Sequence, residues 1–113
     1  MTTIEQLAQR QLDAYNRSDL NAFVACYHPD VRVFNGDELS VSGIEGFRAR
    51  YQSMFSGWTF GAAVPQRIAL NTHCIDFETW WRVDPSTGAR SEGEILVRYE
   101  ERDGLIGTVQ FLS

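Results

Sequence analysis

The residues best suited to acid–base chemistry are His73, Tyr15 and Asn35. Histidine changes its charge near neutral pH, so His73 is a candidate proton-transfer group. In the alternating pattern that begins at His73, its imidazole shares one strand face with Phe77 and Trp81. Tyr15 lies on the apolar side of the first predicted helix, where its hydroxyl can donate a hydrogen bond into a cavity. These three residues form the candidate catalytic set.

Asn35 has two compatible interpretations. It precedes Gly36, and the pair Asn-Gly is typical of a two-residue hairpin turn, because both positions of a type I′ turn need a positive φ. The side-chain amide can also form hydrogen bonds at the wall of a pocket, although it cannot act as a general base.

Charged residues occupy the opposite face of the strand that carries His73. Asp76, Glu78 and Arg82 alternate with the aromatic side chains. Two carboxylates suit acid–base work when they are buried together, but the next predicted strand carries glutamates and arginines at matching positions. This pattern favours a solvated lattice of cross-strand ion pairs. Trp80 lies on the same charged face, and a large exposed aromatic side chain predicts that another protein surface covers it.

The composition limits the classes of partner. The 113 residues are enough for one domain, and the net charge is −5, with arginine alone supplying the 10 basic residues. Charges of both signs are spread along the chain without a basic patch, which disfavours nucleic acid and anionic membranes as partners. The sequence has no long apolar run and no secretory signal pattern at its start. We therefore predict a cytoplasmic protein with a single domain, residues 1–113.

No pattern in the sequence indicates a bound cofactor. Cys26 and Cys74 are far apart in segments predicted to be buried, so we predict two reduced core thiols. His28 and His73 have no partner at the spacing of metal ligands. Because the chain also lacks a glycine-rich phosphate-binding loop, we predict neither a metal nor an organic cofactor.

Helical patterns fill the first half of the chain, and strand patterns fill the second. Thr2-Thr3-Ile4-Glu5 is a capping box for a first helix, and Asp19 can cap a short second helix. A third helix is predicted to begin at a second capping box, Ser42-Gly43-Ile44-Glu45, and to end at Gly57. The predicted strands are 31–35, 38–41, 65–72, 73–83, 92–100 and 105–112.

This order of elements predicts an α+β fold. Three N-terminal helices would pack on a curved, mostly antiparallel sheet and close it into a cone. The mouth of such a cone is a natural place for a small-molecule pocket.

Three segments carry a family resemblance and together cover nearly the whole chain. They are residues 6–35, which contain Ala14-Tyr15-Asn16-Arg17-Ser18-Asp19-Leu20 and Tyr27-His28-Pro29-Asp30, then residues 43–48, then residues 99–106. The sequence resembles the nuclear transport factor 2-like superfamily, more narrowly its SnoaL-like and steroid Δ-isomerase-like branch. The resemblance implies a cone-shaped fold and a homodimer. It leaves the activity open, because the superfamily includes isomerases, cyclases, dehydratases, epoxide hydrolases and transport adaptors.

The resemblance also implies that the acid–base groups of steroid isomerases are not retained. In those enzymes an aspartate at the end of the first strand moves the proton, and the matching position here is Asn35. The family's oxyanion-hole tyrosine and protonated aspartate fall on Gln11 and Val97. Loss of an acid–base group slows a reaction by about 10²–10⁴, so we expect steroid-type isomerisation to be very slow.

The predicted cone mouth defines the candidate ligand site. Its aromatic side chains either line an apolar cavity or fill the core of a small domain. The candidate ligand-binding residues are Tyr15, Asn35, Tyr51, Phe55, Trp58, His73, Trp81 and Val97.

Three functions are compatible with the sequence. We rank first the binding of a small hydrophobic molecule without conversion. The alternative is a small enzyme of the cyclase, isomerase or dehydratase type that acts on a polyketide- or terpenoid-like substrate. The third function is protein interaction through a dimer surface. We expect a homodimer formed through the sheet face that includes Trp80.

Overall fold

Three helices and six strands follow one another in the computed structural model, which describes residues 1–113. The helices are α1 (Thr3–Asn16), α2 (Leu20–Val24) and α3 (Ile44–Gly57). The strands are β1 (Tyr27–Asn35), β2 (Glu38–Ser42), β3 (Thr59–Leu70), β4 (His73–Val83), β5 (Arg90–Arg102) and β6 (Leu105–Leu112).

All six strands form one curved sheet in the order β2-β1-β6-β5-β4-β3. The pair β1–β6 is parallel and the other four pairs are antiparallel. Register shifts interrupt four of the five pairings, and such bulges increase the local bend and twist of a sheet. The helices pack on this sheet, which confirms the predicted α+β cone with a mostly antiparallel sheet.

Two of the three predicted helix caps form. The backbone N–H of Glu5 donates to Thr2 Oγ1 at 3.2 Å, and Glu5 Oε1 accepts from the Thr2 N–H at 2.9 Å. Asp19 Oδ1 accepts from the N–H of Ala22 at 3.1 Å. The capping box predicted for α3 does not form, because Ser42 still belongs to β2 and Gly43, with φ of 90°, takes the cap position.

The first hairpin forms, but its turn lies one residue later than predicted. Asn35 remains in β1 and pairs with Glu38, so Gly36 and Asp37 are the loop residues. Only Gly36 has a positive φ, 61°. The asparagine is therefore not needed for the turn conformation.

Three strands begin earlier than the sequence pattern predicts: β5 by two residues, at Arg90, and β1 and β3 by more, and each of these last two contains a proline. β1 begins at Tyr27 and β3 at Thr59. Pro29 lies between Tyr27 and Arg32, where the pairing with β6 shifts, and Pro65 lies in the bulge between β3 and β4. A proline has no N–H for the sheet, so it is tolerated at such interruptions.

The core lies between the helices and the inner face of the sheet, and Phe23 is at its centre. The Phe23 ring centroid lies 5.0–5.9 Å from those of five other aromatic rings: Tyr15, Tyr27, Phe47, Tyr51 and Phe55. Cys26 and Cys74 are buried and not disulfide-bonded, as predicted. None of the helices has both the length and the apolar character needed to cross a membrane.

Candidate active site

A cavity of about 510 Å³ lies between the helices and the inner face of the sheet. Pockets that hold small molecules have volumes of about 300–1,000 Å³. All three helices contribute to the wall, and so do β1, β4, β5 and β6. The lining residues are Gln11, Leu12, Tyr15, Phe23, Tyr27, Asn35, Arg50, Tyr51, Met54, Trp58, Glu78, Trp80, Arg82, Ile95, Tyr99, Val109 and Phe111.

The charged face of β4 points inward, which is the reverse of the prediction. Asp76 is fully buried, whereas Glu78, Trp80 and Arg82 line the cavity. Asp76 pairs across the sheet with Val97, which is also fully buried, and residues paired in this way share a face. The predicted solvated lattice of ion pairs on this face of β4 is therefore wrong.

Asp76 is held by an arginine from the neighbouring strand. Nε and Nη2 of Arg67 donate to the two carboxylate oxygens of Asp76 at 2.6 and 3.0 Å. Arg67 Nη1 also donates to Gln9 Oε1 at 3.0 Å, and the Cys74 thiol donates to Asp76 Oδ1 at 3.4 Å. This bidentate ion pair satisfies both carboxylate oxygens of Asp76. Without it, burial of the charge would strongly destabilise the folded state.

Glu78 is the only carboxylate among the cavity-lining residues. Its burial raises the pKa of Glu78 to about 7, and the negative charge of Asp76, two residues away on the same face, acts in the same direction. Near neutral pH both protonation states of Glu78 are populated. A carboxyl group with this pKa can both accept and donate a proton, as an acid–base catalyst must.

Phenol groups line the same cavity as this carboxyl group. Tyr15 and Tyr51 line the cavity, and burial raises the pKa of both, that of Tyr51 to about 12. The charge of Glu78 adds to both shifts. Neither hydroxyl is bonded to another group of the protein. Because its pKa is raised, each hydroxyl stays protonated near neutral pH, and each is free to donate a hydrogen bond to a ligand.

Gln11 links two further tyrosines at the inner end of the cavity. The Tyr27 hydroxyl donates to Gln11 Oε1 at 3.0 Å, and Gln11 Nε2 donates to the Tyr99 oxygen at 3.2 Å. The hydroxyl hydrogen of Tyr99 has no acceptor within the protein. Burial raises the pKa of Tyr99 well above its ordinary value, so Tyr99 is a third phenol donor.

The exposed part of the wall carries Asn35, Arg50 and Arg82. The Arg82 guanidinium lies 4.8 Å from the centre of the Trp80 ring and 5.8 Å from that of Trp58. Arg50 Nη1 donates to Ser40 Oγ at 3.0 Å. The cavity thus has a carboxyl group and phenols inside and arginines at its rim.

The structure brings some of the predicted site residues together at this cavity. Tyr15, Asn35, Tyr51 and Trp58 line it, so two of the three candidate catalytic residues lie at the same site. Phe55 and Val97 are core residues that do not reach the cavity wall. That the four lining residues bind a ligand stays a prediction.

His73 and Trp81 lie on the outer face of the sheet, so their predicted position at the cavity is wrong. The His73 side chain is exposed, and its Nδ1 lies 3.3 Å from Arg98 Nη1. Trp81 borders a second cleft of about 450 Å³ and stacks with Arg90 at 4.8 Å. The alternation of β4 was correct, but its two faces were exchanged.

Sequence reasoning missed Glu78 as a site residue and Gln11 as a link between tyrosines. The available signal for Glu78 was Trp80, since a tryptophan two residues from a carboxylate on one strand face is typical of a partly buried surface. Gln11 had a signal too, because it falls next to Leu12 and Ala8 on a helix stripe that is otherwise apolar.

Solved structures with low sequence identity share the fold of this chain. A Δ5-3-ketosteroid isomerase from Mycobacterium sp. has a TM-score of 0.89 at 15% identity, with 100% of this chain and 94% of that chain covered. A computationally designed 17-OHP binder has a TM-score of 0.89 at 14% identity, with the same coverage of 100% and 94%. An LEH-like epoxide hydrolase from M. tuberculosis has a TM-score of 0.84 at 15% identity and coverage of 97% and 80%.

The sequence comparison identifies the family. No protein with a curated description matches the chain. Residues 8–108 match the SnoaL-like domain, which is most of the sequence and includes the cavity-lining parts of α1, α3, β4 and β5. The chain therefore belongs to the SnoaL-like domain family.

Proposed function

We propose that the protein is an acid–base enzyme that moves a proton on a small, mostly apolar carbonyl compound, with Glu78 as the proton-transfer group. The observation that carries this proposal is a carboxyl group inside the cavity whose pKa is raised to about 7. General acid–base catalysis is most efficient when the pKa of the catalytic group lies near the working pH.

The proposed reaction has two proton steps. The ionised Glu78 carboxylate removes a proton from the carbon next to the carbonyl group, and the electron pair moves onto the carbonyl oxygen to give an enolate. The neutral Glu78 carboxyl then returns the proton, either to another carbon of the same molecule or to the alkoxide formed when the enolate carbon attacks a second carbonyl. The first outcome is an isomerisation and the second is a cyclisation.

Phenol donors supply the second requirement of this chemistry. Negative charge develops on the carbonyl oxygen, and hydrogen-bond donors placed in advance lower the barrier. Tyr15, Tyr51 and Tyr99 each have a hydroxyl hydrogen free to donate, and the raised pKa of each keeps it protonated. In this proposal Tyr15 is a donor and Asn35 is a ligand contact, while His73 has no catalytic role.

The proposal differs from a steroid isomerase in the position of its carboxyl group. The residues at the steroid isomerase positions, Asn35, Gln11 and Val97, cannot transfer protons. Glu78 would supply the carboxyl group from β4 instead. The fold shared with a ketosteroid isomerase and an epoxide hydrolase supports small-molecule chemistry in this cavity.

The proposal is tested with a panel of cyclic β,γ-unsaturated ketones of one to four rings. Their conversion to the conjugated isomer is followed by ultraviolet absorbance. We expect the rate to rise with pH and to level off above about 7, because the base form of Glu78 is needed. Glu78→Gln should lose about 10²–10⁴ of kcat/KM.

The matched control is Glu94→Gln, because Glu94 is an exposed glutamate on the neighbouring strand and does not line the cavity. It should keep the rate of the wild type. A Glu78→Gln variant that retains the full rate, or a panel without any turnover by the wild type, would count against the proposal.

Binding without conversion is the second candidate, and the aromatic wall of the cavity favours it. A designed binder with the same fold supports this alternative. The two candidates differ in the effect of Glu78→Gln on a compound that binds. Pure binding leaves the compound unchanged with either protein, whereas catalysis converts it with the wild type alone.

A homodimer is part of the proposal, but the contact surface is revised. Trp80 lines the cavity and also borders the cleft that contains Trp81, so we propose a dimer face that does not depend on its side chain. The outer face instead exposes a row of apolar side chains, with Ile68 69%, Leu70 73% and Leu96 44% exposed. We propose that a second copy of the chain packs on this face.

A further inference from the structure

The rim of the cavity has a charge opposite to that of the whole protein. The chain carries a net charge of −5, yet the charged residues of the cavity wall are Arg50, Arg82 and Glu78. Because the pKa of Glu78 is raised to about 7, it is largely neutral in mildly acidic solution. The cavity is then a positive site in an acidic protein, and such a site attracts anions.

Arg82 has no acidic partner within the chain. Its guanidinium is held over the Trp80 ring at 4.8 Å and near the Trp58 ring at 5.8 Å, and it forms no ion pair. Stacking fixes the plane of a guanidinium while leaving its N–H groups free to donate. A guanidinium presented in this way matches the geometry of a carboxylate.

Arg50, on α3, is the second exposed arginine of the cavity wall. Its Nη1 donates to Ser40 Oγ at 3.0 Å, which holds the side chain in place without neutralising its charge. The exposed part of the cavity wall thus carries two guanidinium groups without an acidic partner, one from α3 and one from β4.

The spacing along β4 sets the length of a ligand that could use both ends of the cavity. Glu78, Trp80 and Arg82 lie at every second position on one strand face, so Glu78 and Arg82 are separated by roughly 13 Å along the strand. The Trp80 ring lies between them. This order suits a reacting carbon at the inner end, a flat apolar body over Trp80, and an anionic group at the rim.

We propose that the substrate is an acid, namely a flat, mostly apolar carbonyl compound with a carboxylate that binds Arg82 and Arg50. This inference rests on the proposed function for the location of the site, and it adds the chemical class of the substrate. It also makes Arg82 a specificity-determining residue.

The test compares the binding of 2-naphthoic acid with that of 2-naphthamide, which has the same shape and no charge. Titration calorimetry at about pH 6 measures both, since an ordinary carboxylic acid is ionised there. The wild type should bind the acid at least about tenfold more tightly than the amide, which corresponds to one charge-assisted interaction. Arg82→Gln should reduce this preference to about twofold, and Arg50→Gln should reduce it in part.

Arg90→Gln is the matched control, because Arg90 stacks on Trp81 at the same 4.8 Å distance but on the outer face. It should keep the preference for the acid. Equal affinity for the acid and the amide, an unchanged preference in Arg82→Gln, or no binding of either compound would each overturn the inference. Because this test measures affinity, its outcome is separate from that of the proposed function. A preference for the acid together with no turnover of the ketone panel would contradict the proposed proton transfer and still support the acid-binding site.

Discussion

Asp76 and Glu78 are two residues apart on one strand face, yet their surroundings give them different roles. Asp76 is fully buried and both of its oxygens accept from Arg67, so its charge is matched within the protein. Glu78 has no such partner and faces the cavity. Arg67 therefore marks Asp76 as structural, whereas the unpaired Glu78 keeps a pKa near neutrality and is available for chemistry.

The raised pKa of Glu78 predicts a dependence of stability on pH. In the unfolded chain Glu78 ionises near its ordinary pKa of 4.5, whereas in the folded protein it does so at about 7. Between these values the folded state binds more protons, so this residue lowers the free energy of unfolding as the pH rises through that window. Relative to the wild type, we expect the free energy of unfolding of Glu78→Gln to be about 1–2 kcal/mol higher at about pH 8 than at about pH 5. This figure is reduced to allow for the partial exposure of the carboxyl group.

Thermal denaturation of both proteins at the two pH values measures this difference. Glu94→Gln is again the control, and its stability should follow that of the wild type at both pH values. If Glu78→Gln and the wild type keep the same difference in Tm at both pH values, Glu78 does not titrate in this window.

The sequence identified some of these residues and misassigned others for a physical reason. Tyr15 could be placed at the cavity because a helix stripe of Ile4, Leu7, Ala8 and Leu12 defines its inward side. Glu78 is misassigned because the alternation of β4 does not state which face is the inner one, and the carboxylates and arginines on its face favour the outer one. His73 was misplaced by the same exchange of faces.

At the scale of elements, β4 shows what alternation can and cannot determine. The pattern predicted the range of the strand and the two sets of residues correctly, since successive side chains of a strand point to opposite faces. It does not state which set faces the helices. The common rule that apolar residues face inward fails here, because the inner face carries a cavity and the outer face carries Ile75, Phe77 and Trp81. The exchange thus coincides with a cavity on the inner face and exposed apolar side chains on the outer face.

The ends of the elements were predictable where a local side chain or glycine determines them. Thr2 and Asp19 cap their helices as expected, and Gly36 supplies the positive φ of the hairpin. The early parts of β1 and β3 were missed, because locally Pro29 indicates the end of the second helix and Pro65 the start of a strand. The bulges that accommodate these prolines depend on neighbouring strands and leave no local signal.

A glycine on β5 determines where one wall of the cavity lies. Gly93 is directly opposite Trp80, and a Cβ atom at this position would come within 2.6 Å of Trp80 Cζ2. The indole of Trp80 therefore lies flat on β5 only because residue 93 has no side chain. We expect Gly93→Ala to displace the indole, to cost about 1–3 kcal/mol of stability, and to weaken the binding of 2-naphthoic acid at least about tenfold.

Gly61→Ala provides the matched control for this prediction. Gly61 is opposite Trp81 on the outer face, and a Cβ atom there would come within 2.8 Å of Trp81 Nε1. It should cost a similar amount of stability and leave the affinity unchanged. Chemical denaturation and titration calorimetry on the two variants separate the effects. Wild-type affinity in a folded Gly93→Ala variant would show that the position of Trp80 does not shape the site.

At the scale of the whole molecule, the sheet has an unusual distribution of polarity. Its inner face holds a buried ion pair and a titratable carboxyl group, while its outer face exposes the apolar side chains of Ile68, Leu70 and Leu96. Ile68 pairs with Ile75, and Leu96 lies between Phe77 and Leu112. In a monomer these apolar side chains stay in contact with water, whereas a second copy packed on this face would remove them from solvent.

The outer row therefore predicts that Leu96→Glu dissociates a homodimer. In a symmetric dimer one substitution acts twice, because the same patch belongs to both subunits, and burying an unpaired carboxylate is costly. Leu39→Glu is the control, since Leu39 is 49% exposed, comparable with the 44% of Leu96, but lies on β2 at the far edge of the sheet. Light scattering at micromolar concentrations should give the mass of a dimer for the wild type and Leu39→Glu, and that of a monomer for Leu96→Glu. A monomeric wild type would mean that the exposed apolar row serves another partner. A Leu96→Glu variant that stays dimeric would move the contact away from this face, and the reversed polarity of β4 would then have to be explained by the cavity alone.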